Sequence, residues 1–392
     1  MRIVFITSAF SYGGAQMSSI ELAERLHTTH EVKFIDTYGY SKPFINALKN
    51  SKIDFSLLSG NSVPFIVSKH KYKLFNIFRY LIFFLKWINI RKKAHLELSH
   101  YQPDIVIVYD DRCLSYLAGF RKKKFKTIFY ARSWYTPDQI SIITRFLLKN
   151  FIDALICISE STRHAIFCGG IAKLNKIFVV HNSINKDKLI VNAKVVSKLD
   201  STYSIIHSGG FLPSKGQLVS LQAAKILKEK NFDFHLSLCG IIYPGKGDIS
   251  NKYYKELLKY VELNDLKSYV SFVVGENNII SYILNSDIMF FPSSSEGLPR
   301  SVLEAMALGK PVIANAVGGV TDLILDQFTG FLTRYNDPEE YARYAQSLMQ
   351  NSSKYQEIAA NALNLVSTTY NETLQIEKIN QLFKDLVRSG EL

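Results

Sequence analysis

The chain has 392 residues, 47% of them hydrophobic, which is enough apolar content to fill the cores of two domains of ordinary size and excludes a disordered or fibrous protein. Lysine and arginine number 47 against 34 acids, a formal charge of +13, so the expected partners are anionic: a nucleotide, a nucleic acid or a membrane surface. The cysteines, Cys113, Cys157, Cys168 and Cys239, lack metal-ligand spacing and read as buried thiols of a reducing compartment.

Ile3 to Ile6 is a β-branched and aromatic run that breaks at Thr7 and Ser8, so it reads as a strand and not as a signal peptide. Ser11-Tyr12-Gly13-Gly14-Ala15 follows, then a helix carrying Ile20, Leu22, Ala23 and Leu26. Glycines at such a strand-to-helix turn let backbone approach a ligand closely, while the spacing departs from Gly-x-Gly-x-x-Gly and speaks against a nicotinamide cofactor. Val32 to Asp36 gives a second strand.

Between Ser68 and Leu96 the chain carries eight lysines or arginines and no acid. Leu74, Ile77, Phe78, Leu81, Phe84, Leu85 and Ile88 recur at helical intervals, with Asn76, Arg79, Lys86 and Lys93 opposite and Phe75, Phe83 and Trp87 toward the basic side. The longest uncharged run is too short to span a bilayer. Two readings stand: a helix lying in an anionic membrane surface, or a core helix whose lysines are merely solvated.

Asp104 to Tyr109, Thr127 to Tyr130 and Ala154 to Ile158 read as buried strands with helices between them, the alternation of a doubly wound parallel sheet, and Phe178 to Val180 ends the first domain. Arg121 to Lys126 is a basic cluster expected in a solvated turn. The adjacent carboxylates Asp110 and Asp111 read as a loop or cap, and no metal is assigned. A linker is expected at about 184–202. Beyond it, strands are expected at Tyr203 to His207, Asp233 to Cys239 and Tyr269 to Val274, with a helix over Leu218 to Lys228.

The most informative stretch is 289–314. An apolar strand ends at Pro292 and three serines, and a loop carries Glu296-Gly297-Leu298-Pro299. A helix then places Val302, Leu303, Met306 and Ala307 at core spacing, and Gly309-Lys310-Pro311 stops it before the strand Val312 to Ala314. The amides of a helix N-terminus seat a phosphate, and the carboxylates Glu296 and Glu304 accept hydrogen bonds from sugar hydroxyls. A nucleotide sugar has that shape.

Glu296 and Glu304, eight positions apart within Ser-Glu-Gly-Leu-Pro and Leu-Glu-Ala-Met-Ala-Leu-Gly-Lys-Pro-Val, resemble the Glu-x7-Glu segment of retaining GT-B glycosyltransferases of the family 4 type, the glycosyl transferases group 1. Gly297, Pro299, Ala305, Gly309, Pro311 and Gly318-Gly319 support the match. The resemblance covers nearly the whole chain and is specific from about Gly209 to Leu332. It implies that Glu296 contacts the transferred hexose, that Glu304 binds the ribose, and that the amides of Leu298, Arg300 and Ser301 beside Gly297 hold the diphosphate. Pro299 has no N–H to offer. Ser208-Gly209-Gly210-Phe211-Leu212-Pro213-Ser214-Lys215-Gly216 resembles the family's Gly-Arg-Leu-x-x-x-Lys-Gly loop. Lys215 then matches the lysine that neutralises the leaving diphosphate, and Gly210 stands in place of the arginine. Gly13 and Gly14 match the glycine pair that borders the donor phosphates and the acceptor. Arg132 follows the strand after which the family often has a histidine.

These matches imply a GT-B architecture of two Rossmann-like doubly wound domains with an interdomain cleft. The acceptor-binding domain is expected over residues 1–184, the donor domain over 203–368, and a last helix over 369–392 that crosses back. The expected activity is retaining transfer of a hexose-type sugar from a nucleotide sugar to a saccharide or lipid-linked saccharide, in surface polysaccharide synthesis. Glu296, Lys215 and Arg132 are expected to be catalytic, without metal or other cofactor. The expected location is the cytoplasm, with peripheral attachment to the cytoplasmic face of the membrane as a further option. Nucleic-acid binding fits the charge and finds no motif. The rival reading is a GT-B scaffold or partner subunit of impaired chemistry, motivated by Gly210 and by the missing histidine.

Overall fold

The computed structural model describes residues 1–60, 75–120, 124–135, 140–192, 202–243, 248–275 and 279–388, with the side chains of residues 75–80 and of residue 192 excepted. Expectations placed on Ser68 to Leu74, on Arg121 to Lys123 and on the middle of the linker lie outside these residues, as does that for the Arg79 side chain. The chain forms two compact units. Unit 1 comprises Met1–Ile158, Thr162–Val180 and Ile376–Leu392, and unit 2 comprises Ser159–Ser161 and His181–Gln375.

In unit 1, β1 (Arg2–Thr7), α1 (Gly14–His27), β2 (Glu31–Asp36), α2 (Lys42–Asn50), β3 (Asp54–Leu57) and α3 (Phe75–Tyr101) lead to β4 (Ile105–Val108). Then follow α4 (Asp111–Leu117), β5 (Lys126–Ala131), α5 (Ile142–Asn150), β6 (Ala154–Cys157), α6 (Glu160–Cys168) and β7 (Ile177–Val179). Among the described residues these strands form one parallel sheet in the order β3-β2-β1-β4-β5-β6-β7. The central strands are uninterrupted apolar runs: every residue of Ile105-Val106-Ile107-Val108 is fully buried, as a sheet covered by helices on both faces requires.

After α7 (Lys186–Asn192), unit 2 runs β8 (Tyr203–Ser208), α8 (Gln217–Glu229), β9 (Phe234–Gly240), α9 (Ile249–Leu263), β10 (Val270–Val274), α10 (Ile279–Asn285) and β11 (Ile288–Phe291). It continues with α11 (Arg300–Ala307), β12 (Val312–Asn315), α12 (Val320–Leu323), β13 (Phe331–Thr333), α13 (Pro338–Gln350) and α14 (Ser352–Thr369), and α15 (Glu372–Arg388) closes the chain. The parallel order is β10-β9-β8-β11-β12-β13. Both units are therefore doubly wound, and each reverses its strand order once, between β1 and β4 and between β8 and β11. In open parallel sheets such a reversal leaves a crevice at the strands' carboxyl ends, the usual seat of a ligand.

The helix α3 departs from the expected core-helix packing. Its buried contacts come from Ile90, Ala94 and Leu98, with Trp87 donating from Nε1 to Ser115 Oγ at 2.9 Å, while Leu81, Phe84 and Leu85 are exposed. The indole placed toward the basic side thus packs inward, and the aliphatic row points out. Cys113, Cys157 and Cys239 are buried as expected, whereas Cys168, at the end of α6, is exposed; all four are free thiols. Among the described residues no helix is long and apolar enough to cross a membrane.

Candidate active site

The loops that leave β8 and β11 meet over the strand-order reversal of unit 2. After β8 the chain passes through Gly209 and Gly210 into a single 3-10 turn, Pro213–Lys215, and Gly216 then starts α8 in the left-handed region at φ +74°. A Cβ at Gly216 would strike the Pro292 carbonyl of the loop after β11, so the glycine is required both by its backbone angle and by that close approach. Hydrogen bonds fix the same junction: the Ser294 N–H donates to the Ser214 carbonyl at 2.9 Å, and the Gln217 amide donates to the carbonyls of Gly209 and Gly210 at 3.1 and 3.0 Å.

This junction delivers Lys215 to Glu296. The ammonium lies 2.6 Å from Glu296 Oε1, and Ser293 Oγ donates to the same oxygen at 2.6 Å. Glu304 is buried at 8% exposure on α11, and its Oε1 accepts from Arg300 Nε at 2.7 Å. Two carboxylates, each held by a cation, thus flank the start of α11. Pro299 caps that helix without a side-chain hydrogen bond, and the first amides of any helix lack partners within it. The loop is closed from beneath, because the Gly319 N–H donates to the Glu296 carbonyl at 3.0 Å and a Cβ at Gly319 would collide with the Gly297 carbonyl. Leu298 is buried, whereas Arg300 and Ser301 are half-buried.

Two neighbours of this site carried no sequence signal. A Cβ at Gly210 would run into the ring of Tyr243, so the aromatic ring fills the direction in which an arginine at position 210 would extend. Tyr243 lies after β9, and no local pattern around Gly210 points to it. His207 is fully buried beneath the loop, with Nδ1 against Ser220 Oγ at 2.8 Å; burial, and then the nearby Lys215 charge, push its pKa down to about 3. It stays neutral, and among the described residues Lys215 and Arg300 are the cations paired with the two carboxylates.

Gly13, Gly14 and Arg132 belong to unit 1, where they flank its own strand-order reversal. Gly13 sits before α1 with extended backbone, and its N–H donates to Gln16 Oε1 at 3.2 Å. A Cβ there would meet nothing nearer than that oxygen, at 3.8 Å, so packing does not demand the glycine. Arg132 leaves β5, donates from Nη1 to the Ala15 carbonyl, and lies over the Tyr109 ring at 4.0 Å from its centroid. Beside it opens a cavity of about 320 Å³ whose lining includes Thr7, Gln16, Asp110, Asp111, Arg112 and Tyr135. Arg112 Nη1 and Arg132 Nε are buried there without a hydrogen-bond partner. Asp110 caps α4 by accepting from the Cys113 N–H at 2.7 Å, and burial raises its pKa; Asp111 accepts from Thr144 Oγ1 at 2.5 Å.

Sequence comparison places both units among glycosyltransferase models. Residues 12–188 match the model described as Glycosyltransferase Family 4, and residues 192–365 match Glycosyl transferases group 1. The chain is a GT-B glycosyltransferase. An uncharacterized glycosyltransferase of Haemophilus influenzae is 25% identical over 98% of both chains. The UDP-Gal:alpha-D-GlcNAc-diphosphoundecaprenol alpha-1,3-galactosyltransferase of Escherichia coli is 24% identical over 69% of this chain and 67% of that one. Among solved structures, Anabaena Alr3699/HepE in complex with UDP superposes with a TM-score of 0.79, at 19% identity over 98% of this chain and 100% of that one. The two doubly wound sheets of this GT-B glycosyltransferase are thus those of its structural neighbours, and its relatives include enzymes of capsular polysaccharide synthesis such as CapM of Staphylococcus aureus.

Proposed function

We propose that this glycosyltransferase moves a hexose from a nucleotide sugar to a saccharide or lipid-linked saccharide acceptor of a surface polymer, with retention of anomeric configuration. The observation that carries the reading is the Lys215–Glu296 pair, held at 2.6 Å over the strand-order reversal by a glycine junction that tolerates no side chain. Lys215 is the cation for the diphosphate, and its present partner Glu296 turns to the hexose hydroxyls as the donor enters. The negative charge that grows when the anomeric C–O bond breaks falls on the diphosphate. Preorganised donors aimed at such charge lower the barrier, and here they are Lys215 and the amides of Leu298, Arg300 and Ser301. Glu304 is the acceptor for ribose hydroxyls, kept in place by Arg300. A relative named for UDP-Gal and a structural neighbour in complex with UDP-glucose support a uridine nucleotide as the first donor to test.

The unit 1 cavity is proposed to take the acceptor. Its buried guanidinium nitrogens, carboxylates and tyrosine rings suit a molecule with many hydroxyls and an anionic group. Arg132 supplies a donor there and, as a permanent cation, cannot accept a proton.

The second reading, a GT-B scaffold subunit, rests on Tyr243 filling the place where the family's arginine would extend from position 210. A thermal-shift panel of UDP, GDP, UDP-glucose and UDP-galactose separates the two. A donor present at about a hundred times its dissociation constant stabilises the fold by about 2.7 kcal/mol, and the enzyme reading predicts such a shift for at least one of them. A flat panel together with no transfer activity supports the scaffold.

A further inference from the structure

The helix α3 outruns the sheet on which it packs. Its 27 residues span about 40 Å, whereas the four residues of neighbouring β4 span about 13 Å. All its buried apolar positions among the described side chains, Ile90, Ala94 and Leu98, fall in the C-terminal half. The helices of right-handed crossovers run back against the strands, so the N-terminal half of α3 projects at the strands' carboxyl edge. The connections into β4, β5 and β6 all step the same way across the sheet, which puts α3, α4 and α5 on one face with their N-termini at that edge.

Both projecting ends are apolar on the outside. Leu81, Ile82, Phe84 and Leu85 of α3 are exposed, Leu85 at 57%. Ile142, Ile143 and Phe146 open α5, Ile142 at 86%. Leu85 and Ala94 are nine positions apart, which at about 100° per residue sets them on opposite sides, so this row faces directly away from the core. Exposed lysines frame it, Lys86 and Lys92 on α3 and Lys149 on α5, and no acid occurs in residues 75–96 or 142–150; the acids that open α4 between the two helices, Asp110 and Asp111, accept hydrogen bonds from the Cys113 N–H and from Thr144 Oγ1.

We infer that this two-helix surface docks unit 1 on an anionic lipid bilayer. Apolar side chains enter the acyl boundary while the lysines meet lipid phosphates, the division of labour of an interfacial amphipathic helix. Charge decides against a second copy of the chain: a twofold contact would set this basic frame against itself, whereas an anionic surface complements it. The bilayer then lies at the edge of the sheet that carries the Arg132 cavity, where a lipid-linked molecule would be presented. The inference does not rest on sugar transfer, because docking is read without substrate.

The test is co-sedimentation of the full chain with vesicles of phosphatidylcholine alone or mixed with phosphatidylglycerol. The variants are Leu81→Gln/Leu85→Gln, Ile142→Gln/Ile143→Gln and Lys86→Glu/Lys92→Glu, all at exposed positions, with circular dichroism confirming the fold. Wild type is expected to pellet with the anionic vesicles about tenfold more than with neutral ones, each apolar variant to lose most of that binding, and the charge reversal to abolish the preference. Equal sedimentation of wild type with and without vesicles overturns the inference, as does binding that none of the variants reduces. A wild-type dimer in analytical ultracentrifugation that the apolar variants dissociate also overturns it, in favour of a contact between copies.

Discussion

The two strand-order reversals are furnished in opposite ways. Between β8 and β11 the loops are locked to each other by Gly216 under the Pro292 carbonyl and by Gly319 under Gly297, and each carboxylate already holds a cation. Between β1 and β4 a cavity stays open, Gly13 is free of close neighbours, and two guanidinium nitrogens are buried without a partner. One topology therefore carries a preorganised charge site in unit 2 and an adaptable, hydroxyl-ready pocket in unit 1. A rigid site suits a fixed ligand such as a nucleotide diphosphate, and an open one suits an acceptor whose identity varies between relatives.

The contrast is broken most strongly at Lys215. Lys215→Ala is expected to lower single-turnover transfer by about 10² to 10³, the cost of removing one preorganised donor. The same exchange of Arg132 is expected to act on the acceptor side, raising the acceptor KM about tenfold while leaving UDP binding unchanged, as loss of one charge-assisted hydrogen bond would. If Arg132→Ala instead weakened UDP as much as Lys215→Ala did, the division between the two sites would fail.

Gly216→Ala probes rigidity without removing a functional group. A left-handed alanine costs about 1 to 2 kcal/mol, and the collision with the Pro292 carbonyl adds to it, so a fall in Tm of several degrees is expected together with weakened UDP binding. Gly13→Ala has room at its Cβ and should leave Tm unchanged.

The smallest effects distinguish the units by pH. His207 has a pKa near 3 in the folded chain against an ordinary 6.5, so the unfolded chain binds the extra proton and stability falls as pH drops from 6.5 toward 3. Asp36 in unit 1 is raised by burial from 3.8 to about 6, so the folded chain binds the extra proton and stability falls as pH rises from 3.8 through 6. His207→Gln and Asp36→Asn should therefore change the slope of denaturation free energy against pH in opposite senses, each by up to about 1.4 kcal/mol per pH unit within its window.

Much of this was legible because parallel sheets write themselves as short apolar runs. The strands around Val106, Phe129, Leu155 and Phe290 stand where β-branched and aromatic residues cluster between polar breaks. The edge strand β3 has no such run: Asp54-Phe55-Ser56-Leu57 is half exposed and is held by pairing with β2, a long-range fact. The helix α14 follows α13 after one residue, Asn351, whose side chain caps it by accepting from the Lys354 N–H, and it packs on α11, a contact that no local pattern announces. In the site, Lys215, Glu296 and Glu304 were readable as motif residues, but their mutual pairing was not, nor was Tyr243 against Gly210, since its partner comes from a loop after another strand. The outward turn of Leu81 and Leu85 was hidden for a different reason: helical periodicity identifies a face and does not say what covers it.

The central claim is that α11 and the loops before it grip a nucleotide sugar with separate parts for ribose, diphosphate and hexose. Calorimetric titration of UDP into wild type, Glu304→Ala and Glu296→Gln tests it most directly, because UDP has ribose and diphosphate and no hexose. The account predicts binding by wild type, a loss of about tenfold or more in Glu304→Ala from hydrogen bonds to a charged acceptor, and affinity within about twofold of wild type in Glu296→Gln. Equal losses in both variants, or no loss in Glu304→Ala, would contradict it.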